Sequence, residues 1–198
     1  MSSASLAIIV VAIIMILLVA LLWYSRRLRS VQLQKQFGPE YQRAVAEKGG
    51  TRKAEDDLAA RQKRVAKLEI RPLAADERQR FTDEWRAVQA RFVDDPSTAV
   101  RDADALVARV METRGYPVGD FEQRAADVSV DYPTVVEHYR AAHAIALRHA
   151  QSQVSTEELR QALVAYRALF AELLEEPRTA ETSHEAASPP DTASPTAS

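Results

Sequence analysis

Residues 81–117 read FTDEWRAVQARFVDDPSTAVRDADALVARVMETRGYP, a pattern of two helices joined by a sharp turn. In the first half, large apolar side chains recur every three or four residues and so share one helical face: Phe81, Trp85, Val88 and Phe92. Asp95 followed by Pro96 predicts the start of the second helix, because aspartate caps free N–H groups and proline fits the first helical position. Gly115 predicts its end, because glycine tolerates the left-handed conformation that closes many helices.

Similar signals follow toward the C terminus. Asp120 predicts a helix start, and Asp131 with Pro133 predicts another. Ser155 and Glu158 form a capping box. The apolar stripe that follows this box indicates a last core helix: Leu159, Leu163, Tyr166, Phe170 and Leu173.

Upstream of residue 72 the helical signals are weaker. We expect the first long helix to end at Phe37, because Gly38 and Pro39 interrupt it. A short helix to residue 47 follows, and Thr51 is expected to cap another that ends near Lys67. The apolar stripe of that helix is compatible with packing on the protein or with lying on a membrane, so both alternatives stay open.

Residues 6–24 form an apolar run with no charged or amide side chain. A helix of this length, at about 1.5 Å per residue, crosses a hydrocarbon layer of ~30 Å. A cleaved signal peptide is the alternative, but its basic residues would precede the run, whereas here they follow it. Arginines beside a span are retained in the cytoplasm. We therefore predict a single-pass protein with its N terminus outside and its C terminus inside.

Charge is distributed unevenly along the rest of the chain. Residues 26–71 contain 13 Lys and Arg against 6 Asp and Glu, whereas residues 72–198 contain 13 against 22. The basic segment is predicted either to attract anionic lipid or only to fix the topology. The acidic remainder argues against nucleic-acid binding. The candidate lipid-facing residues are Arg26, Arg27, Arg29 and Lys35.

No catalytic constellation stands out. The chain has no cysteine, no Gly-rich phosphate loop and no zinc-binding His-Glu motif. Three histidines (His138, His143 and His149) lie five and six residues apart, which does not align them on one helix face. We predict no catalytic residue, cofactor or metal site. The alternatives are a membrane-tethered enzyme that uses His138 or His143 with a carboxylate, and a structural protein that binds anionic lipid through residues 26–71.

Four aromatic side chains are candidates for binding a protein partner at the cytoplasmic face, although they serve equally well as core: Phe81, Phe92, Tyr116 and Tyr139. The segment 177–198 contains no large aliphatic or aromatic side chain and is predicted to be disordered.

Several segments resemble an uncharacterised family of bacterial proteins with a short N-terminal span: QARFVDDP (89–96), RGYP (114–117), FEQR (121–124) and DYPTVV (131–136). The resemblance implies a bacterial inner-membrane protein with this helical layout, and it implies no reaction.

We therefore predict an all-α protein that acts as a membrane-anchored adaptor or scaffold, in contact with the lipid bilayer and with a protein partner. Its predicted parts are a short N-terminal segment (1–5), a transmembrane helix (6–24), a basic helical stem (25–71), a helical bundle (72–176) and a disordered tail (177–198).

Overall fold

The computed structural model describes residues 3–152 and 154–175, and the side chains of these residues except 3–12 and 26. Every regular element in these ranges is an α-helix, which confirms the all-α prediction. The helices are α1 (Ser3–Phe37), α2 (Pro39–Lys48), α3 (Thr51–Val65), α4 (Ala75–Asp94), α5 (Pro96–Thr113), α6 (Phe121–Asp131), α7 (Val136–Gln151) and α8 (Thr156–Leu174). Among the residues whose side chains are described, which exclude 3–12 and 26, no helix has a stretch long and apolar enough to cross a bilayer. The predicted disordered tail lies outside the described residues.

Helices α4 to α8 enclose the main hydrophobic core. Phe81, Trp85 and Val88 are buried, as their spacing predicts, and the ring of Trp85 stacks on that of Phe170 with centroids 4.7 Å apart. This stack joins α4 to α8. Burial of such aromatic side chains dominates the energetics of a small core.

The predicted helix boundaries at Asp95 and Gly115 are confirmed. The Asp95 carboxylate accepts a hydrogen bond from the backbone N–H of Thr98 at 3.0 Å, and Pro96 is the first residue of α5. Gly115 has a φ of 97°, and the N–H of Tyr116 donates to the carbonyl of Met111 at 3.0 Å. This arrangement satisfies carbonyl groups that the helix end leaves free.

Two predicted helix starts are wrong. Thr51 is the first residue of α3 and not its cap: Gly50 occupies the cap position and provides no side-chain hydrogen bond. Asp131 is the last residue of α6, and α7 begins only at Val136. The carboxylate of Asp131 instead accepts a hydrogen bond from the hydroxyl of Tyr116, and the cap position of α7 is Val135, four residues further along the chain.

A second, smaller hydrophobic cluster joins the first three helices. Its members come from α1, α2 and α3: Leu33, Phe37, Tyr41, Ala44, Ala54 and Leu58. Val130 of α6 packs against it, so α3 lies on the bundle. Of the two alternatives that the sequence left open for residues 40–67, the structure shows packing on the protein.

Candidate functional site

A buried carboxylate lies where the first helices meet the bundle. Glu40 of α2 is fully buried, and Arg61 of α3 donates a hydrogen bond to its Oε1 at 2.7 Å. Arg140 of α7 donates to the same oxygen at 3.3 Å. Burial opposes the charge of Arg61, but its hydrogen bond to Glu40 and the charge of Asp57 outweigh that effect and raise its pKa. We call Glu40, Arg61 and Arg140 the Glu40 junction.

A second ion pair reinforces this contact. The Nε of Arg64 donates to Oδ1 of Asp127 at 2.7 Å, which joins α3 to α6. A cleft of about 240 Å³ opens between these helices, and its walls carry charges of both signs, including Arg43, Asp57 and Glu122. The Glu40 junction therefore joins α2 and α3 to α7, and the Arg64–Asp127 pair joins α3 to α6.

The predicted lipid-facing residues lie in the part of α1 that follows the apolar run. Arg27, Arg29 and Lys35 are exposed, and the side chain of Arg26 lies outside the described residues. The guanidinium of Arg27 lies 5.5 Å from the centroid of the Trp23 ring. This distance permits a cation–π contact, which keeps the cation beside an aromatic ring of the apolar run.

Residues from the start of α3 lie beside Arg29. Arg29 lines a cavity of about 390 Å³ together with Thr51, Arg52, Glu55 and Asp56. Sequence reasoning did not single out Arg52, because no local pattern links it to an arginine on a helix so far upstream. The fold creates this proximity by reversing the chain twice, at residues 38 and 49–50.

The histidines do not come together at one carboxylate. His143 is half-buried, and its Nδ1 lies 3.9 Å from Oδ1 of Asp104. The Phe121 ring stacks on the imidazole with centroids 3.6 Å apart. His138 is exposed and lines a shallow groove between α7 and α8, and His149 contacts Ser97 at 2.7 Å.

Burial sets the protonation of the groups around Asp104. It lowers the pKa of His143, and the nearby Asp104 charge only partly opposes this effect. Burial together with Asp104 raises the pKa of Tyr139 and of Tyr166. The imidazole of His143 and the hydroxyls of Tyr139 and Tyr166 are therefore neutral near pH 7. A neutral imidazole beside a carboxylate is able to accept a proton at a ring nitrogen; the Phe121 ring covers one face of this imidazole and not the edge that carries the nitrogens.

The four residues predicted to bind a protein partner lie in or at the core. Phe81, Tyr116 and Tyr139 are buried, and Phe92 is half-buried. In the parts of the chain that the structure describes, no group of three or more histidine, aspartate and glutamate side chains is placed to hold a metal ion.

Comparison with protein-family models, with curated proteins and with solved structures finds no match for this chain. The family resemblance drawn from the sequence therefore stays a prediction.

Proposed function

We propose that the chain is a single-pass, membrane-anchored interaction protein in which α1 crosses a bacterial inner membrane and carries the helices that follow on the cytoplasmic side. One observation carries this proposal: among the described side chains of α1, only those near its C-terminal end are buried by other parts of the protein. Leu33 and Phe37 are buried in the smaller hydrophobic cluster. Between Ile13 and Tyr24, by contrast, every large apolar side chain of α1 is 49% to 68% exposed.

The exposed residues follow one another in sequence, so they point to all sides of the helix. A protein partner would cover one face, as an amphipathic stripe requires. Lipid covers all faces at once and favours an uncharged run such as residues 6–24. The arginines that follow, Arg27 and Arg29, favour retention of the remaining residues in the cytoplasm.

The domain that follows α1 is proposed to act by binding a protein. The charged groups at the Glu40 junction are occupied in holding helices together, and His143 is stacked under Phe121. These contacts are those of a rigid scaffold, and they favour a binding role over catalysis.

The anchor is tested by alkaline extraction of membranes that contain the full chain. We expect the protein to stay in the membrane pellet, and a variant with Ile14→Asp and Leu18→Asp to move to the supernatant, because charge at the centre of a span is costly. Release of the unmodified chain by alkali would refute the anchor.

Topology is tested with a single engineered cysteine, which is practical because the chain has none of its own. Ala46→Cys places a thiol on an exposed position of α2. A membrane-impermeant maleimide should label it only after spheroplasts are lysed. Labelling in intact spheroplasts would show that the orientation is wrong.

The binding role is tested by mild crosslinking in cells followed by affinity isolation. We expect a reproducible protein partner with the full chain, and loss of that partner when residues 72–176 are deleted. Equal recovery by the deletion variant would refute a role for the bundle in binding.

A further inference from the structure

Helices α2 and α3 form a helical hairpin, and the turn between them lies toward the apolar end of α1. Arg29 of α1 shares a cavity with Thr51 and Arg52 at the start of α3. Further along both helices, the side chain of Gln62 donates a hydrogen bond to that of Gln36. Helices α1 and α3 therefore run in the same direction, and the turn at Gly49 and Gly50 lies level with Arg29.

This level corresponds to the lipid headgroups if α1 spans the membrane, so the inference rests on the proposed function. Arg29 follows Tyr24 by five residues, about 7.5 Å along a helix. The headgroup layer on each side of the hydrocarbon is roughly 5–8 Å thick. Lys35 is about 16 Å past Tyr24 on the same scale and lies beyond this layer.

Four cations at this level are free to bind a ligand. Arg27, Arg29, Arg52 and Lys53 are exposed, and none of them forms an ion pair with another of the described residues. We call these four residues the basic collar.

Of the three carboxylates near the collar, only Asp57 forms ion pairs among the described residues. Asp57 pairs with Arg61 and Lys48. Glu55 accepts a hydrogen bond from the hydroxyl of Tyr41 at 2.9 Å. Asp56 is exposed and remains as an acidic neighbour of Arg52. Four cations without an ion-pair partner therefore face two carboxylates without one, Glu55 and Asp56, so the charge at this end of the hairpin is net positive.

We infer that the basic collar is a binding surface for the headgroups of anionic phospholipids in the cytoplasmic leaflet. The fold contributes half of this surface, because Arg52 and Lys53 come from a helix that the hairpin brings back to the membrane. A basic residue near an anionic bilayer contributes roughly a fivefold preference for anionic over neutral lipid.

The test uses the full chain in nanodiscs that contain phosphatidylcholine and phosphatidylglycerol. Electron paramagnetic resonance of spin-labelled lipids gives the association constant of phosphatidylglycerol relative to phosphatidylcholine at the protein surface. We expect Arg52→Glu with Lys53→Glu to lower this ratio at least fivefold, and Arg52→Gln with Lys53→Gln to lower it less.

The matched control is Lys63→Glu with Lys67→Glu. It changes the charge by the same amount; Lys63 is exposed in the last turn of α3, and Lys67 is exposed two residues past the end of that helix. We expect the control to leave the ratio within about twofold of the unmodified chain. Helix content measured by circular dichroism should be the same for all variants, because these side chains make no hydrogen bond or ion pair to other described residues.

The outcomes separate the two proposals. An unchanged ratio for Arg52→Glu with Lys53→Glu, or an equal fall in the control, would overturn the collar while the anchor stands. A chain that does not enter nanodiscs at all would refute both. The collar is supported if this ratio falls for Arg52→Glu with Lys53→Glu and not for the control. The preference of the unmodified chain for phosphatidylglycerol should also weaken as salt is raised.

Discussion

Replacement of Gly115 by alanine tests the packing of the chain between the stem and the bundle. A Cβ atom added at Gly115 would lie 2.5 Å from the carbonyl oxygen of Glu69, where ordinary contacts begin at 3.4 Å. The backbone there also has a φ of 97°. The left-handed conformation costs an alanine about 1–2 kcal/mol, and the overlap with a backbone atom adds roughly 1–3 kcal/mol.

We therefore expect Gly115→Ala to lower the free energy of unfolding by about 2–5 kcal/mol. Two other glycines serve as controls. Gly49 has a φ of 68°, and no atom lies within 4 Å of the position that a Cβ would take, so Gly49→Ala should cost only about 1–2 kcal/mol. Gly119 has neither a positive φ nor a close neighbour, so Gly119→Ala should change stability by less than about 1 kcal/mol.

The measurement is urea unfolding of the full chain in detergent, followed by far-ultraviolet circular dichroism. The midpoint should fall while the slope with urea stays constant, since none of these substitutions changes the surface exposed on unfolding. If Gly115→Ala is no more destabilising than Gly49→Ala, Gly115 does not lie against Glu69 and the described path of residues 66–74 is wrong.

Three further predictions concern charge and capping. Glu40→Ala should lower the free energy of unfolding by about 1.5–3 kcal/mol, because it removes the buried carboxylate that Arg61 and Arg140 contact and leaves Arg61 with Asp57 alone; Glu40→Gln should cost less, and equal costs in urea unfolding would contradict this. The lowered pKa of His143 means that the unfolded state binds its proton more readily, so stability should fall as pH drops below about 6.5. His143→Gln should reduce that fall in urea unfolding at several pH values, and an identical pH profile would argue against it. Ser155→Ala should cost about 1 kcal/mol, since Ser155 accepts from the N–H of Glu158 at 3.2 Å; an unchanged midpoint would show that the cap contributes nothing.

Local signals explain which parts of the fold the sequence predicts. The caps at Asp95 and Ser155 and the left-handed Gly115 depend on residues within a few positions of one another, and all three are present in the structure. The predictions for Thr51 and Asp131 are wrong for a related reason. Each has a residue type that favours a helix start, but Gly50 takes the cap position in one case, and in the other Asp131 is the last residue of α6 and lies four residues before the cap of α7.

The candidate sites depend on contacts that no local pattern contains. Glu40 and Arg140 are 100 residues apart, and the pairing of their side chains follows from the packing of α2 on α7. The same holds for Arg52 beside Arg29, which requires the reversals on either side of α2. Sequence periodicity indicates that a residue faces inward or outward, but it does not indicate which distant helix lies opposite.

The continuity of α1 has a mechanical consequence. The helix runs without a break from Ser3 to Phe37, and its last turns are part of the smaller hydrophobic cluster. A single residue inserted near Ser30 would turn everything after it by about 100° relative to everything before it, and would shift it by about 1.5 Å. Rotation of the apolar part of α1 about the helix axis would likewise turn the attached helices as one body. The rotational position of α1 therefore sets the direction in which each face of the bundle points.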